Sequence, residues 1–220
     1  MPDYQQPNFN RVASFYDACK MLLFCGSIDR CQYYHLPLLK NSKKILVIGG
    51  GTGKIVSQIH RHATFDELTF VDCSEKMVEK AKLHVKSCCP EIQQKIKFQK
   101  ADILTEFEAS EFDTIVAPFV LDCFTDESLG ILGIKLKTWL RPNGILLFSD
   151  FHQSQKSGIS RWLSRCVTRP LYFVLNFMCE MNIKQLPDYQ LLFNNIPLSK
   201  TSEHLSLGGI LQSVAFRAAQ

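Results

Sequence analysis

The sequence predicts one α/β domain built on a mostly parallel, doubly wound sheet. Three observations carry this. Short apolar runs alternate with helical patterns from Lys43 onward, as repeated βαβ units do. The first run ends in the cluster Gly49-Gly50-Gly51-Thr52-Gly53. The next two runs are each followed by an aspartate, Asp72 and Asp102. Open parallel sheets bind ligands beyond the carboxyl ends of their strands, so these residues mark a site as well as a fold.

Residues 1–42 read as a helical cap. Phe9, Val12, Phe15, Tyr16 and Cys19 recur near helical spacing, and Gly26-Ser27 interrupts the pattern. A second helix is predicted over 29–36, before Pro37. Residues 43–220 form the main domain. Strands are predicted over 45–48, 68–71, 96–99, 114–117 (stopped by Pro118) and 145–148. Ser74 is placed to cap a helix carrying Met77, Val78, Ala81 and Val85 on one face. A second helix is predicted over 128–140, followed by a turn at Arg141-Pro142-Asn143-Gly144. Residues 153–194 read as an inserted helical lid, with a long apolar and basic stretch over 159–181 and a short helix over 187–193. Two last strands are predicted over 197–205 and 209–217.

Composition narrows the function classes. A chain of 220 residues with 46% hydrophobic and 21% charged residues can bury a real core. The net charge of +4 is too small for a nucleic-acid surface, and residues 153–184 hold all of it: Lys156, Arg161, Arg165, Arg169 and Lys184 against Glu180. Nine cysteines without a CxxC pair argue against both a disulfide framework and a zinc site, and no metal is expected. A reduced, cytoplasmic protein without a signal peptide or membrane span is the expectation.

The glycine cluster follows a strand and opens a helix, where glycine permits a sharp turn and close approach of backbone to ligand. The third glycine of a dinucleotide fingerprint would fall at position 54, which is Lys54, and no phosphate-loop lysine pattern occurs. Asp72 lies 21 residues past Gly51 at a strand end, where a carboxylate can accept from both ribose hydroxyls. Asp102 can accept from an adenine amino group, with Ile103 against the ring.

These motifs resemble the class I methyltransferases that use S-adenosylmethionine, over residues 43–151. The resemblance implies a seven-stranded sheet with an antiparallel final strand, supplied by 209–217. It implies that Gly49, Gly50, Gly51 and Gly53 border the methionine part, that Asp72 and Cys73 lie at the ribose, that Asp102 and Ile103 hold the adenine, and that Phe119 to Asp122 line the meeting place with substrate. The family usually carries an acidic residue where this chain has Val47, so the methionine ammonium must find another partner, such as backbone carbonyls of the turn. Phe15-Tyr16-Asp17 and Gly26-Ser27-Ile28-Asp29-Arg30 are similar in layout to the opening of ubiquinone/menaquinone and phospholipid methyltransferases.

Asp122, Asp150 and His152 are the candidate bases, though helix entry accounts for Asp122 as readily and a loop histidine is commonly a surface residue. Tyr16 and His35 of the cap and Trp162 of the lid are candidate substrate contacts, with packing as the plain account of the first two. Asp113 reads as structural. The 159–181 stretch reads first as a lid; peripheral membrane contact or a packed helix are the other readings. The expected reaction is direct displacement of the methyl group onto a small hydrophobic acceptor. This needs alignment more than a catalytic triad, and alignment contributes on the order of 7–11 kcal/mol. The rivals are a non-catalytic cofactor-binding protein and a nicotinamide dehydrogenase, the latter disfavoured by the glycine spacing.

Overall fold

The computed structural model describes residues 26–109, 111–152, 187–193 and 196–219. The predicted helix before Gly26, the contacts assigned to Tyr16 and Trp162, and the 159–181 stretch lie outside the described residues. The chain opens with α1 (Ser27–Tyr33) and a 3-10 turn (Leu36–Asn41). It continues through β1 (Lys44–Ile48), α2 (Lys54–His62), β2 (Glu67–Asp72), α3 (Glu75–Cys88) and β3 (Ile96–Lys100). Then come β4 (Phe112–Pro118), α4 (Asp126–Trp139), β5 (Leu140–Phe151), the short α5 (Gln190–Phe193), β6 (Leu198–Ser206) and β7 (Leu211–Ala218).

The seven strands form one sheet in the order β3-β2-β1-β4-β5-β7-β6. All pairs from β3 to β5 are parallel, and β7 runs antiparallel to both β5 and β6. The order reverses at β1, which has β2 on one side and β4 on the other. Register levels the carboxyl ends, with Ile48 opposite Val71, Asp72 opposite Lys100 and Pro118 opposite Ser149. The turns after β1, β2, β3 and β4 therefore meet at one edge, at the switch point where such sheets open a crevice.

Alternation along the strands divides the core between the two faces. Leu46, Ile48, Ile115 and Phe148 pack with Leu129, Leu132 and Leu136 of α4. Ile45, Val47, Phe70 and Val116 pack with Ile55, Val56 and Ile59 of α2 and with Val78, Ala81 and Val85 of α3. Local signals start the helices. Ser74 Oγ accepts from the Met77 N–H at 3.3 Å, and Thr125 Oγ1 accepts from the Ser128 N–H at 3.2 Å. The Thr125 cap starts α4 at Asp126, two residues before the predicted start.

Two boundaries differ from expectation. Pro37 does not end a helix but sits in the first turn of the 3-10 segment, where its missing N–H costs nothing. The Arg141–Gly144 turn is instead an interruption within β5: Asn143 takes φ 61°, and the register with β4 jumps between Phe112 and Thr114. Asp113 is structural, accepting from the Lys43 and Lys44 N–H groups and from Arg141 Nη1 at 2.7 Å. The described cysteines, Cys31, Cys73, Cys88, Cys89 and Cys123, are all free. Among the described residues no helix is long and apolar enough to cross a membrane, and no cluster of histidine, cysteine and carboxylate side chains is arranged to hold a metal.

Gly53 locks α2 against α3. It has φ 84°, and a Cβ there would lie 2.7 Å from Ala81 Cα and 2.8 Å from Ala81 Cβ. Gly53→Ala is expected to cost about 1–3 kcal/mol of stability, from overpacking together with left-handed strain. Urea unfolding measures this, and an unchanged midpoint would show that the two helices can separate freely.

Candidate active site

The carboxyl edge of the sheet holds a cleft enclosing about 680 Å³ of space, its open mouth included. One wall is the turn after β1. Gly49 takes φ 66° and Gly51 φ 57°, a left-handed backbone that glycine adopts without steric cost. The Gly49 N–H donates to the Val71 carbonyl at 2.8 Å, tying the turn to β2. A Cβ at Gly49 would lie 2.3 Å from Val120 Cγ2, so the loop after β4 closes directly onto the bare backbone.

Asp72, at the tip of β2, forms the second wall and is 8% exposed. Its Oδ1 accepts from the Ser74 N–H at 2.9 Å, and the Gly51 N–H also bonds to the carboxyl. Burial raises its pKa to about 6, against the lowering effect of these two amides. Cys73 beside it is pushed up to about 12 by burial and by the charges of Asp72 and Asp102, so it is a neutral thiol in the cleft wall.

Asp102 and Ile103 follow β3. Asp102 Oδ1 accepts from the Leu104 N–H at 2.8 Å, and the Asp102 N–H donates to Glu106 Oε2 at 2.9 Å. This aspartate turn is held on both sides while its other oxygen carries no bond among the described residues. Phe119 closes the last wall. Its N–H donates to the Ser149 carbonyl at 2.7 Å, its φ is 50°, and its ring meets Phe151 edge-on at 5.7 Å. A left-handed phenylalanine costs on the order of 1–3 kcal/mol and persists only where its surroundings hold it.

Of the residues the sequence singles out, Gly49, Gly51, Asp72, Cys73, Asp102, Ile103 and Phe119 share this one cleft. Val120, Met77, Cys123 and Phe124 join them. Val120 falls within the Phe119–Asp122 stretch expected at the cleft, whereas Met77, Cys123 and Phe124 carry no motif that marks them as cleft residues.

Other assignments need correction. Gly50 is absent from this cleft's lining and lines the smaller crevice beside the turn; a Cβ there would lie 2.3 Å from the Phe70 ring, so it is also glycine to admit core packing. Gly53 serves the α2–α3 contact and is absent from the cleft lining. His35 is 4% exposed, with Nδ1 2.9 Å from Ser213 Oγ and Nε2 2.9 Å from Ser202 Oγ. Both ring nitrogens are thus engaged on the far strands β7 and β6, which makes it a packing residue and not a substrate contact. His152 hydrogen-bonds to Gln212 Oε1 at 3.0 Å and also lies outside the lining.

Asp122 and Asp150 sit behind the cleft. Asp150 is fully buried; its Oδ2 accepts from the Asp122 N–H at 3.1 Å and its Oδ1 from the Phe151 N–H at 2.8 Å. Burial first, and then the charge of Asp122, hold its pKa well above the ordinary carboxylate value. Without access to the cleft it cannot take a proton from substrate, and it acts as a clamp between β5 and the loop after β4. The raised value means its stabilising contribution is complete below about pH 4 and is lost as pH rises. Asp150→Asn is therefore expected to gain stability relative to the native protein as pH is raised from about 5 to 8. Thermal unfolding across that range checks this, and a relative loss at higher pH would show an ionised, well-partnered Asp150.

Comparison with known proteins agrees with this geometry. The methyltransferase domain family matches residues 46–146. Spermidine synthase 1 of Hyoscyamus niger is 38% identical over 74 residues, 29% of this chain and 24% of that protein. Malonyl-[acyl-carrier protein] O-methyltransferase of Halalkalibacterium halodurans is 31% identical over 157 residues, 66% of this chain and 53% of that protein. The chain thus spans from about a quarter to about half of the length of these relatives. The N-methyltransferase NodS of Bradyrhizobium japonicum, solved with S-adenosyl-L-homocysteine, superposes with a TM-score of 0.62 at 17% identity over 88% of each chain. Residues 46–146, a little under half of the chain, are similar to the methyltransferase domain family, and the fold is the one seen in the N-methyltransferase NodS.

Proposed function

We propose that this protein binds S-adenosylmethionine in the cleft and transfers its methyl group to a small, hydrophobic acceptor. The observation that carries the reading is the pairing of a side-chain-free turn with a buried carboxylate across one cleft. Gly49 and Gly51 bring bare backbone to the cleft wall, and Asp72 offers a charged acceptor at the right strand end for a ribose. Ile103 and the aspartate turn at Asp102 suit the adenine face and amino group.

The bound cofactor supplies a methyl group already activated by its sulfonium. This chain's residues do the positioning. Asp72 fixes the sugar, the turn fixes the chain leading to the sulfur, and Phe119, Val120 and Phe124 line an apolar wall that excludes water. No described side chain in the cleft lining is placed as a strong base, so the acceptor that fits best is one that already carries a lone pair or loses its proton readily. A small acceptor under a lid formed by 153–194, with peripheral membrane contact through 159–181, is part of this proposal, as is a cytoplasmic setting.

A second reading, transfer of an aminopropyl group instead of a methyl group, is favoured by the stretch shared with spermidine synthase. The mass added to the acceptor separates the two. Cofactor binding without transfer to any of a broad acceptor panel would favour a binding protein that does no chemistry.

Two results are expected from calorimetry with S-adenosylhomocysteine. Asp72→Ala weakens binding by about 1–3 kcal/mol, the loss expected for hydrogen bonds to a charged acceptor. The native protein loses affinity as pH falls through the Asp72 pKa of about 6, because protonation removes the acceptor that the ribose hydroxyls need. Well below that value the loss approaches about tenfold per pH unit. Affinity unchanged by the substitution and flat through the acid range would remove Asp72 from the site.

A further inference from the structure

The amino-acid end of the cofactor meets no acidic side chain from β1, and the fold supplies a different partner. Val47 is fully buried in the core against α2 and α3 and reaches no cleft. Next to the glycine turn lies a small crevice, about 290 Å³ with the open solvent at its mouth included. Gly49 and Gly51 line both this crevice and the cleft that holds Asp72, so the two spaces meet at the turn. Gln32 of α1, Thr52 and Lys54 complete much of the crevice lining.

Gln32 is only 9% exposed. Its Nε2 donates to Asp29 Oδ1 at 2.9 Å. An ionised carboxylate accepts and cannot donate, so this bond fixes which way round the amide sits. The amide oxygen is turned from Asp29, and no described residue donates to it. With its nitrogen held by Asp29 and its oxygen without a donor among the described residues, Gln32 can accept from a group lying in the crevice it lines.

We propose that Gln32 accepts a hydrogen bond from the ammonium of the cofactor's methionine end, taking over the task left vacant by Val47. The proposal rests on the cofactor reading above. Asp29 behind Gln32 polarises the amide, so a negative charge acts on the ammonium through one intervening side chain. Lys54, at the start of α2 on the same crevice, places positive charge and the positive end of the helix dipole where the carboxylate of the same group would lie. The N-terminal cap thereby becomes part of the cofactor site and not only a cover for substrate.

Two ligands separate this from the general reading. S-adenosylhomocysteine carries the amino-acid end; 5′-methylthioadenosine has the same nucleoside and sulfur but lacks it. Calorimetry on Gln32→Met, which keeps side-chain length, is expected to show about a tenfold loss of S-adenosylhomocysteine affinity, the size of one hydrogen bond to a charged group. Affinity for 5′-methylthioadenosine should stay the same, which also shows that the variant folds. Unchanged affinity for both ligands, or equal loss for both, overturns the role of Gln32. Failure of the native protein to bind either ligand would instead overturn the cofactor reading itself.

Discussion

The contact on which the site depends is the one between the Asp72 carboxyl and the backbone of the glycine turn. Asp72 ends β2 and takes an N–H from Gly51, while Gly49 donates to Val71 one residue earlier. These bonds hold the turn after β1 against the tip of β2, which sets the spacing between the two walls of the cleft. The carboxyl is buried for this purpose at a cost. A rise in pKa to about 6 corresponds to roughly 3 kcal/mol of disfavoured charge in the ligand-free protein. On the proposed reading, a ligand with two hydroxyls aimed at the carboxylate would offset that cost.

The remainder of the edge serves the same end. The loop after β4 is pinned three times: by Phe119 to Ser149, by Asp122 to Asp150, and by Val120 against Gly49. These contacts press an apolar segment over the place where a sulfur would lie, without a charged group of its own in the wall. On the proposed reading, such a site would orient and dry its reactants and leave the activation to the cofactor.

Much of the fold is legible in the sequence because its signals are local. Apolar runs of strand length, the Ser74 cap and the 21-residue step from Gly51 to Asp72 each follow from chemistry within a short stretch. The order of the sheet follows from those repeats and from the resemblance to a known family. What stayed hidden depends on packing across the fold. Gly50 looks like its neighbours in the motif, yet it is glycine because Phe70 sits on it. His35 resembles a functional histidine until two serines from β6 and β7 claim both nitrogens. The depth of Asp150 depends on the loop that folds over it. Gln32 carries no motif at all; its meaning comes from burial beside a turn 17 residues further on.

The most direct test of the central claim is a crystal structure with S-adenosylhomocysteine. The ribose hydroxyls should lie on the Asp72 carboxylate, the adenine against Ile103 near Asp102, and the sulfur toward Phe119 and Val120. A nucleoside bound elsewhere on the molecule, or a sugar turned away from Asp72, would contradict the account.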